Sequence, residues 1–150
     1  MIYRYGWDVR NRLQTVRTST SINRTTNIYD PTGQRILTQT PTGVVTVYLG
    51  GLEIRFQGGS GGPRAAKHPV AGVTIGYDTI RSYTTHNHQQ SIAHNTTPTS
   101  TTDSYYQPYG KMPIADTTTI IADRSYLNQI TDTTTGLNYL NQRHYNASAG

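Results

Sequence analysis

Cysteine is absent from the 150 residues, so neither disulfides nor thiolate-held metal can staple the fold. Phenylalanine and tryptophan occur once each, and 33% of residues are hydrophobic. A domain of this length ordinarily buries roughly 70% of its extended-chain surface. This composition offers little to fill a dry interior of that size. Ala, Leu and Glu are scarce, which argues against long helices. No heptads and no sustained apolar i, i+3, i+4 pattern occur. No run is long enough to span a bilayer. The first residues, MIYRYGWDV, lack the apolar stretch of a signal peptide. An exported protein of this kind is expected to carry its signal outside this sequence.

What the chain does have is Tyr, in 12 copies, 14 Gly, 7 Pro and a large excess of Thr. Tyr combines an apolar ring with a hydroxyl that needs a partner, which suits sheets with a wet face. Thr is stiff at χ1 and favours strands. Gly and Pro supply turns. The fold class expected is all-β, a curved antiparallel sheet of short hairpins. The net charge is +5, but only 14% of residues are charged and the arginines are dispersed. A nucleic-acid footprint needs clustered cations, so nucleic acid is not the expected partner.

The chain divides into three stretches. Residues 1–56 are strand-like and punctuated by turns. Residues 57–72, QGGSGGPRAAKHPVAG, read as a Gly/Pro-rich loop or insertion. Residues 73–150 return to short strands. The clearest unit is NIYDPTGQRIL, Asn27 to Leu37. Pro31 presets φ in the turn, Asp30 can bond the turn amides, and Gly33 relieves the exit. A looser copy runs through Tyr3, Tyr5 and Trp7, turns over Asp8 to Asn11, and returns at Arg12 and Leu13. In VVTVYLGGLEIR, Val45, Val47 and Leu49 alternate with Thr46 and Tyr48, and Gly50-Gly51 permits a turn. Turns recur about every 20 residues, the mark of a repeat architecture. A unit of two short strands must stack on neighbours to bury a face.

These units resemble the Tyr-Asp repeats of the RHS family, whose pattern is roughly Y-x-Y-D-x-x-G-R-L. Tyr29, Asp30, Gly33 and Arg35 carry the match. The second half is similar to the RHS-associated core. Asn87-His88-Gln89-Gln90-Ser91 resembles its D-H-x-G-S segment, with His88 and Ser91 retained. Gln107-Pro108-Tyr109-Gly110 resembles its Y-D-P-F-G segment through Pro108 and Gly110. The last residues resemble its closing motif, with Thr135, Gly136, Leu137, Arg143, Tyr145 and Gly150 in register. Residues 1–56 would then be terminal repeats and 73–150 a core-like region, incomplete at its C-terminus.

The resemblance implies a spiral β-shell that walls in a C-terminal toxin or effector of a larger exported bacterial protein. It implies a structural role, with the rest of the shell and the enclosed domain as partners and a secreted or cell-surface location. An adhesion module with glycan partners is the alternative, since exposed Tyr rings suit sugars. A self-cleaving core is the third reading. It is disfavoured because Asn146-Ala147 stands where the family has Asp-Pro, and an aspartyl mechanism needs paired carboxylates. No catalytic residue and no cofactor are expected. His86 and His88 would share a face if both lay on a strand, with His94 near, but no Cys or acidic ligand accompanies them. No metal site is expected. GGSGG lacks the Lys-Ser/Thr and helix of a phosphate loop.

Overall fold

A computed structural model of the chain describes residues 3–18, 24–58, 62–112 and 124–149. Eleven strands follow one another in a single antiparallel sheet, each paired to the next in sequence order. They are β1 (Tyr3–Trp7), β2 (Leu13–Thr18), β3 (Thr25–Tyr29), β4 (Arg35–Gln39), β5 (Val45–Leu49), β6 (Leu52–Phe56), β7 (Arg64–Val70), β8 (Val73–Ile75), β9 (Arg81–His86), β10 (Ile92–Thr96) and β11 (Thr101–Asp103). After a short turn at Tyr126–Asn128, β12 (Ile130–Asp132), β13 (Leu137–Leu140) and β14 (Arg143–Asn146) form a second, three-stranded sheet. The all-β expectation holds. Among the described residues β1 and β11 each pair on one side only, so the large sheet is not closed into a barrel.

One stretch differs from expectation. Residues 64–70, inside the presumed loop of 57–72, form β7 and pair with both β6 and β8. The Gly/Pro-rich composition hid a strand, because Ala65 and Ala66 are too small to give an apolar signal. Ala66 is nonetheless fully buried. The sheet therefore runs without interruption through the segment read as a boundary.

One turn design recurs along the chain. In five-residue turns beginning at Asp8, Asp30, Thr40, Gly76, Asn87 and Gln107, the fourth amide bonds back to the first carbonyl. The first amide bonds to the fifth carbonyl. The fourth residue always has positive φ: Asn11, Gly33, Gly43, Thr79, Gln90 and Gly110. This is a type I turn closed by a left-handed residue. In the turns that begin at Asp8, Asp30, Thr40 and Asn87 the first side chain completes it by accepting the fifth amide. Asp30 Oδ1 accepts from the Gln34 amide at 2.9 Å and Asn87 Oδ1 from the Ser91 amide at 3.0 Å. The five-residue turn Thr40-Pro41-Thr42-Gly43-Val44 escaped the sequence reading, although it repeats the Pro-Thr-Gly of residues 31–33.

Three of these turns are followed by a β-bulge. Gln14, Ile36 and Ala93 are each the extra residue, where the register shifts between β1 and β2, β3 and β4, and β9 and β10. A bulge puts residues three apart on the same face. So Leu13 with Val16, Arg35 with Thr38, and Ile92 with Asn95 form the buried pairs. The small sheet covers this face. Its Leu137 joins Leu13 and Val16 in the main apolar cluster, with Tyr3 packed against it. Beyond that cluster the buried face is mostly polar, with Thr25, Asn27, Thr38, Thr46, Glu53, Thr74 and Ser82.

Candidate functional site: the seam between the two sheets

Polar side chains buried in a seam must find partners or cost free energy. The tightest group centres on Arg35 at the start of β4. Tyr139 from β13 reaches across: its hydroxyl accepts from the Arg35 amide at 2.9 Å and donates to the Gly33 carbonyl at 3.1 Å. Gln142 donates to the Thr32 carbonyl at 3.1 Å. The Arg35 guanidinium lies between two rings, 4.4 Å from the Tyr139 centroid and 5.0 Å from that of Tyr48. Tyr29 packs 6.3 Å from Tyr139 and donates to the Leu13 carbonyl at 2.6 Å. Burial pushes the Tyr29 hydroxyl up to about 12. His144 of β14 packs on Tyr139, and burial together with the Arg35 charge lowers it to about 4. At neutral pH the group therefore holds one buried cation, a protonated Tyr and a neutral His.

A second group surrounds Glu53, which is fully buried. His68 Nε2 is 3.1 Å from its Oε1, Arg124 Nε is 3.3 Å from the same oxygen, and Tyr77 donates to Oε2 at 3.0 Å. His68 Nδ1 faces the Thr74 hydroxyl at 3.1 Å. Arg124 begins the segment that leads into the second sheet, so this carboxylate ties that segment to β6 and β7. A lone Glu in the strand LEIRF is its signal, since Glu53 is the chain's single glutamate.

The residues singled out from sequence fall into three places. Tyr29, Gly33 and Arg35 meet at the Tyr139 seam, with Asp30 holding the turn beside it. The Thr32 hydroxyl, first among its contacts, keeps the Asp30 carboxyl below its usual range. At the other end, Tyr145 donates to the Tyr109 carbonyl at 2.8 Å and stacks on Tyr126, ring centroids 6.1 Å apart. Gly110 admits that ring: a Cβ there would meet Tyr126 at 2.6 Å. Ser91 is buried, and its hydroxyl accepts the Leu127 amide at 2.9 Å. Thr135, Gly136 and Leu137 form the β12–β13 turn, where Gly136 donates to the Asp132 carbonyl at 2.7 Å. His88, Pro108 and Arg143 are exposed, and Gly150 lies outside the described residues.

His86 ends β9 while His88 sits in the following turn, so they do not share a strand face. His94 pairs instead with Asp103 at 2.6 Å. Among the described residues no cluster of three potential ligands forms. Asn146 caps its own turn, accepting the Ser148 amide at 2.9 Å. Sequence reasoning missed Tyr139, Gln142, His144, Glu53 and Arg124 as seam residues. Their role depends on contacts more than 50 positions apart in most cases, which local spacing does not report.

No family model matches the chain, and no curated protein matches it. Solved structures do. Over 97% of its length the chain is similar to part of the crystal structure of TcdB2-TccC3, with TM-score 0.75 and 20% identity. The crystal structure of TcdB2-TccC3 without hypervariable C-terminal region gives TM-score 0.76 at the same identity. The chain spans 8% to 9% of the length of those chains. No helix among the described residues is long and apolar enough to cross a membrane. The sheet order, the hairpin repeat and this likeness agree: the chain has the fold of a segment of an RHS/YD-repeat shell.

Proposed function

We propose that the chain is a wall segment of a β-shell that encloses or presents a toxin or effector domain of a larger exported protein. Its role is structural. The observation that carries this reading is the seam. Tyr139, Gln142 and Leu137 of the small sheet are committed to the hairpins of β1–β4, so the small sheet seals one face of the wall. The buried groups of the seam are a protonated Tyr, a neutral His and a paired carboxylate. They hold the second sheet and the segment leading into it against the large sheet. The proposed partners are further shell strands at the sheet edges and the enclosed domain. The secreted or surface location follows from that role.

The test is to express the chain together with whatever its gene encodes on both sides. A downstream domain that resists protease in the intact protein, and becomes cleavable when Tyr139→Ala loosens the seam, supports the reading. A downstream domain cleaved at the same rate in both, or a gene encoding nothing on either side, would overturn it. A second reading, a surface module that binds glycans, is favoured by one observation. Tyr105 is well exposed and lines a cleft with His88, His94 and Asp103, and the exposed Tyr109 follows the cleft residue Pro108. Glycan-array binding that is lost in Tyr105→Ala or Tyr109→Ala would select it.

A further inference from the structure

The arginines are dispersed along the sequence, yet the large sheet gathers three of them. Arg4 of β1 lies directly opposite Arg17 of β2. Thr15 pairs with Thr26 and Val16 with Thr25, a register that places Arg24 opposite Arg17. The three therefore form a cross-strand row on one face of the sheet. All three are exposed. Like charges set directly opposite destabilise a sheet, and nothing offsets these. Among the described residues none of the three guanidinium groups makes an ion pair or a hydrogen bond. Each carboxylate among those residues is engaged elsewhere: Asp8 with Arg12, Glu53 with Arg124, Asp103 with His94, and Asp30, Asp78 and Asp132 within their own turns.

The row walls a depression of about 340 Å³, lined also by Tyr5, Gly6 and Thr15. A Cβ at Gly6 would meet the Thr15 hydroxyl oxygen at 2.4 Å, so the bare glycine leaves room for that hydroxyl beside the row. The hydroxyl has no partner among the described residues. Tyr5 is 45% exposed and supplies an aromatic wall. The volume lies at the lower end of the range for small-molecule sites. Three cations without a carboxylate match a dianion better than a monoanion. A phosphate monoester carries nearly two negative charges at neutral pH and three strong acceptor oxygens, and the arginine fork suits phosphate geometry. The row crosses three strands, about 10 Å at sheet spacing. That is a short track for a nucleic-acid backbone, whose affinity grows with each phosphate neutralised. We propose that this depression binds a small phosphate monoester of the sugar-phosphate class. Arg4, Arg17, Arg24 and the Thr15 hydroxyl hold the phosphoryl oxygens, and the carbon skeleton lies against the Tyr5 ring.

The test is isothermal titration calorimetry of the intact chain with glucose 6-phosphate, at an ionic strength held constant with sodium chloride. Glucose 6-sulfate, which carries one charge, glucose and oligothymidylate are the comparisons. Saturable binding of glucose 6-phosphate, weaker binding of the sulfate ester and none of glucose are expected. Arg17→Gln, at the centre of the row, should weaken binding roughly five- to tenfold, and Arg17→Lys less. Thr15→Val should weaken it roughly threefold. The urea midpoint of the free chain should not fall in Arg17→Gln, since that change removes a repulsion. No saturable binding of glucose 6-phosphate, or equal binding of the two esters, would overturn the proposal. So would tighter binding of oligothymidylate than of the monoester, or an Arg17→Gln variant that binds as the wild type does. A variant that loses midpoint together with binding would overturn it as well, by showing that Arg17 holds the sheet.

Discussion

The fourth position of each five-residue turn is left-handed, and its occupants differ in what that costs. Gly33, Gly43 and Gly110 adopt it without penalty, whereas Thr79, at φ +68°, and Gln90, at φ +66°, do not. The left-handed conformation costs an L-residue about 1–2 kcal/mol, most for a β-branched one. Thr79→Gly and Gln90→Gly should therefore each stabilise the protein by about 1 kcal/mol, the first more than the second. Urea unfolding midpoints check this, and a destabilised Thr79→Gly would count against the turn geometry. The reverse substitutions separate space from backbone. Gly43 has nothing within 4 Å of a built Cβ, whereas Gly110 has the Tyr126 ring at 2.6 Å. Gly43→Ala should cost about 1 kcal/mol and Gly110→Ala clearly more.

His144 sets a pH dependence at the same scale. Its folded value, about 4, lies below the ordinary 6.5 because burial and the Arg35 charge disfavour the protonated ring. The unfolded chain therefore binds the proton more readily. The contribution is complete above pH 6.5 and is lost as pH falls from there toward 4. Its size is on the order of 3 kcal/mol. Urea midpoints measured in that range should fall steeply for the wild type and less steeply for His144→Gln. The carboxyls of Asp8 and Asp30, both held below their ordinary 3.8, act only at lower pH, so the two effects separate.

At the scale of elements, the bulge explains what the sequence revealed and what it did not. The Asp30-Pro31-Thr32-Gly33 turn was legible because each residue states its own dihedral preference. The buried face was not, because strict alternation fails where Gln14, Ile36 and Ala93 are inserted. A period-2 reading of Arg35 to Thr38 would place the ends on opposite faces, yet both are buried. Asn11 and Gln90 stand where the family pattern has Gly, and Asn87 where it has Asp. In the folded chain each serves the same turn, Asn87 through its Oδ1 and the other two through positive φ. The seam was beyond local reading, since Glu53 meets Arg124 only after the whole sheet has been laid down. That contact also makes a prediction. Glu53→Ala leaves Arg124 and His68 facing no anion in a buried setting, a change that typically costs about 3–5 kcal/mol. Denaturant unfolding measures it. A loss below about 1 kcal/mol, the scale of exposed ion pairs, would show that the cluster does not hold the second sheet.

At the scale of the molecule, the two faces of the large sheet are unlike in an unexpected sense. The covered face carries Asn27, Thr38 and Thr46, while the opposite face carries a cross-strand row of Ile28, Leu37, Val47, Ile54 and Ala65. Ile28 is 48% exposed, and Leu49 and Phe56 are exposed as well. Polar seam inside and apolar row outside is the reverse of a one-sided globular sheet. Among the described residues, β1 and β11 are also open edges of that sheet. An open edge beside exposed apolar side chains is a template for another strand. The 150-residue chain in isolation should therefore self-associate as its concentration rises, with sedimentation velocity reporting the shift. Edge and face can be told apart. The Ser104 amide bonds inward to Ala93, so alternation along β11 points the Thr101 amide outward. Thr101→Pro removes that outward donor without breaking the β10 pairing, and Pro is tolerated at the first residue of a strand. If the edge drives association, Thr101→Pro should suppress it while leaving the thermal transition of the dilute monomer little changed. If the row drives it, Ile28→Thr should do so instead. A chain that stays monomeric at every accessible concentration would contradict both, and would show that this wall segment is closed on its own.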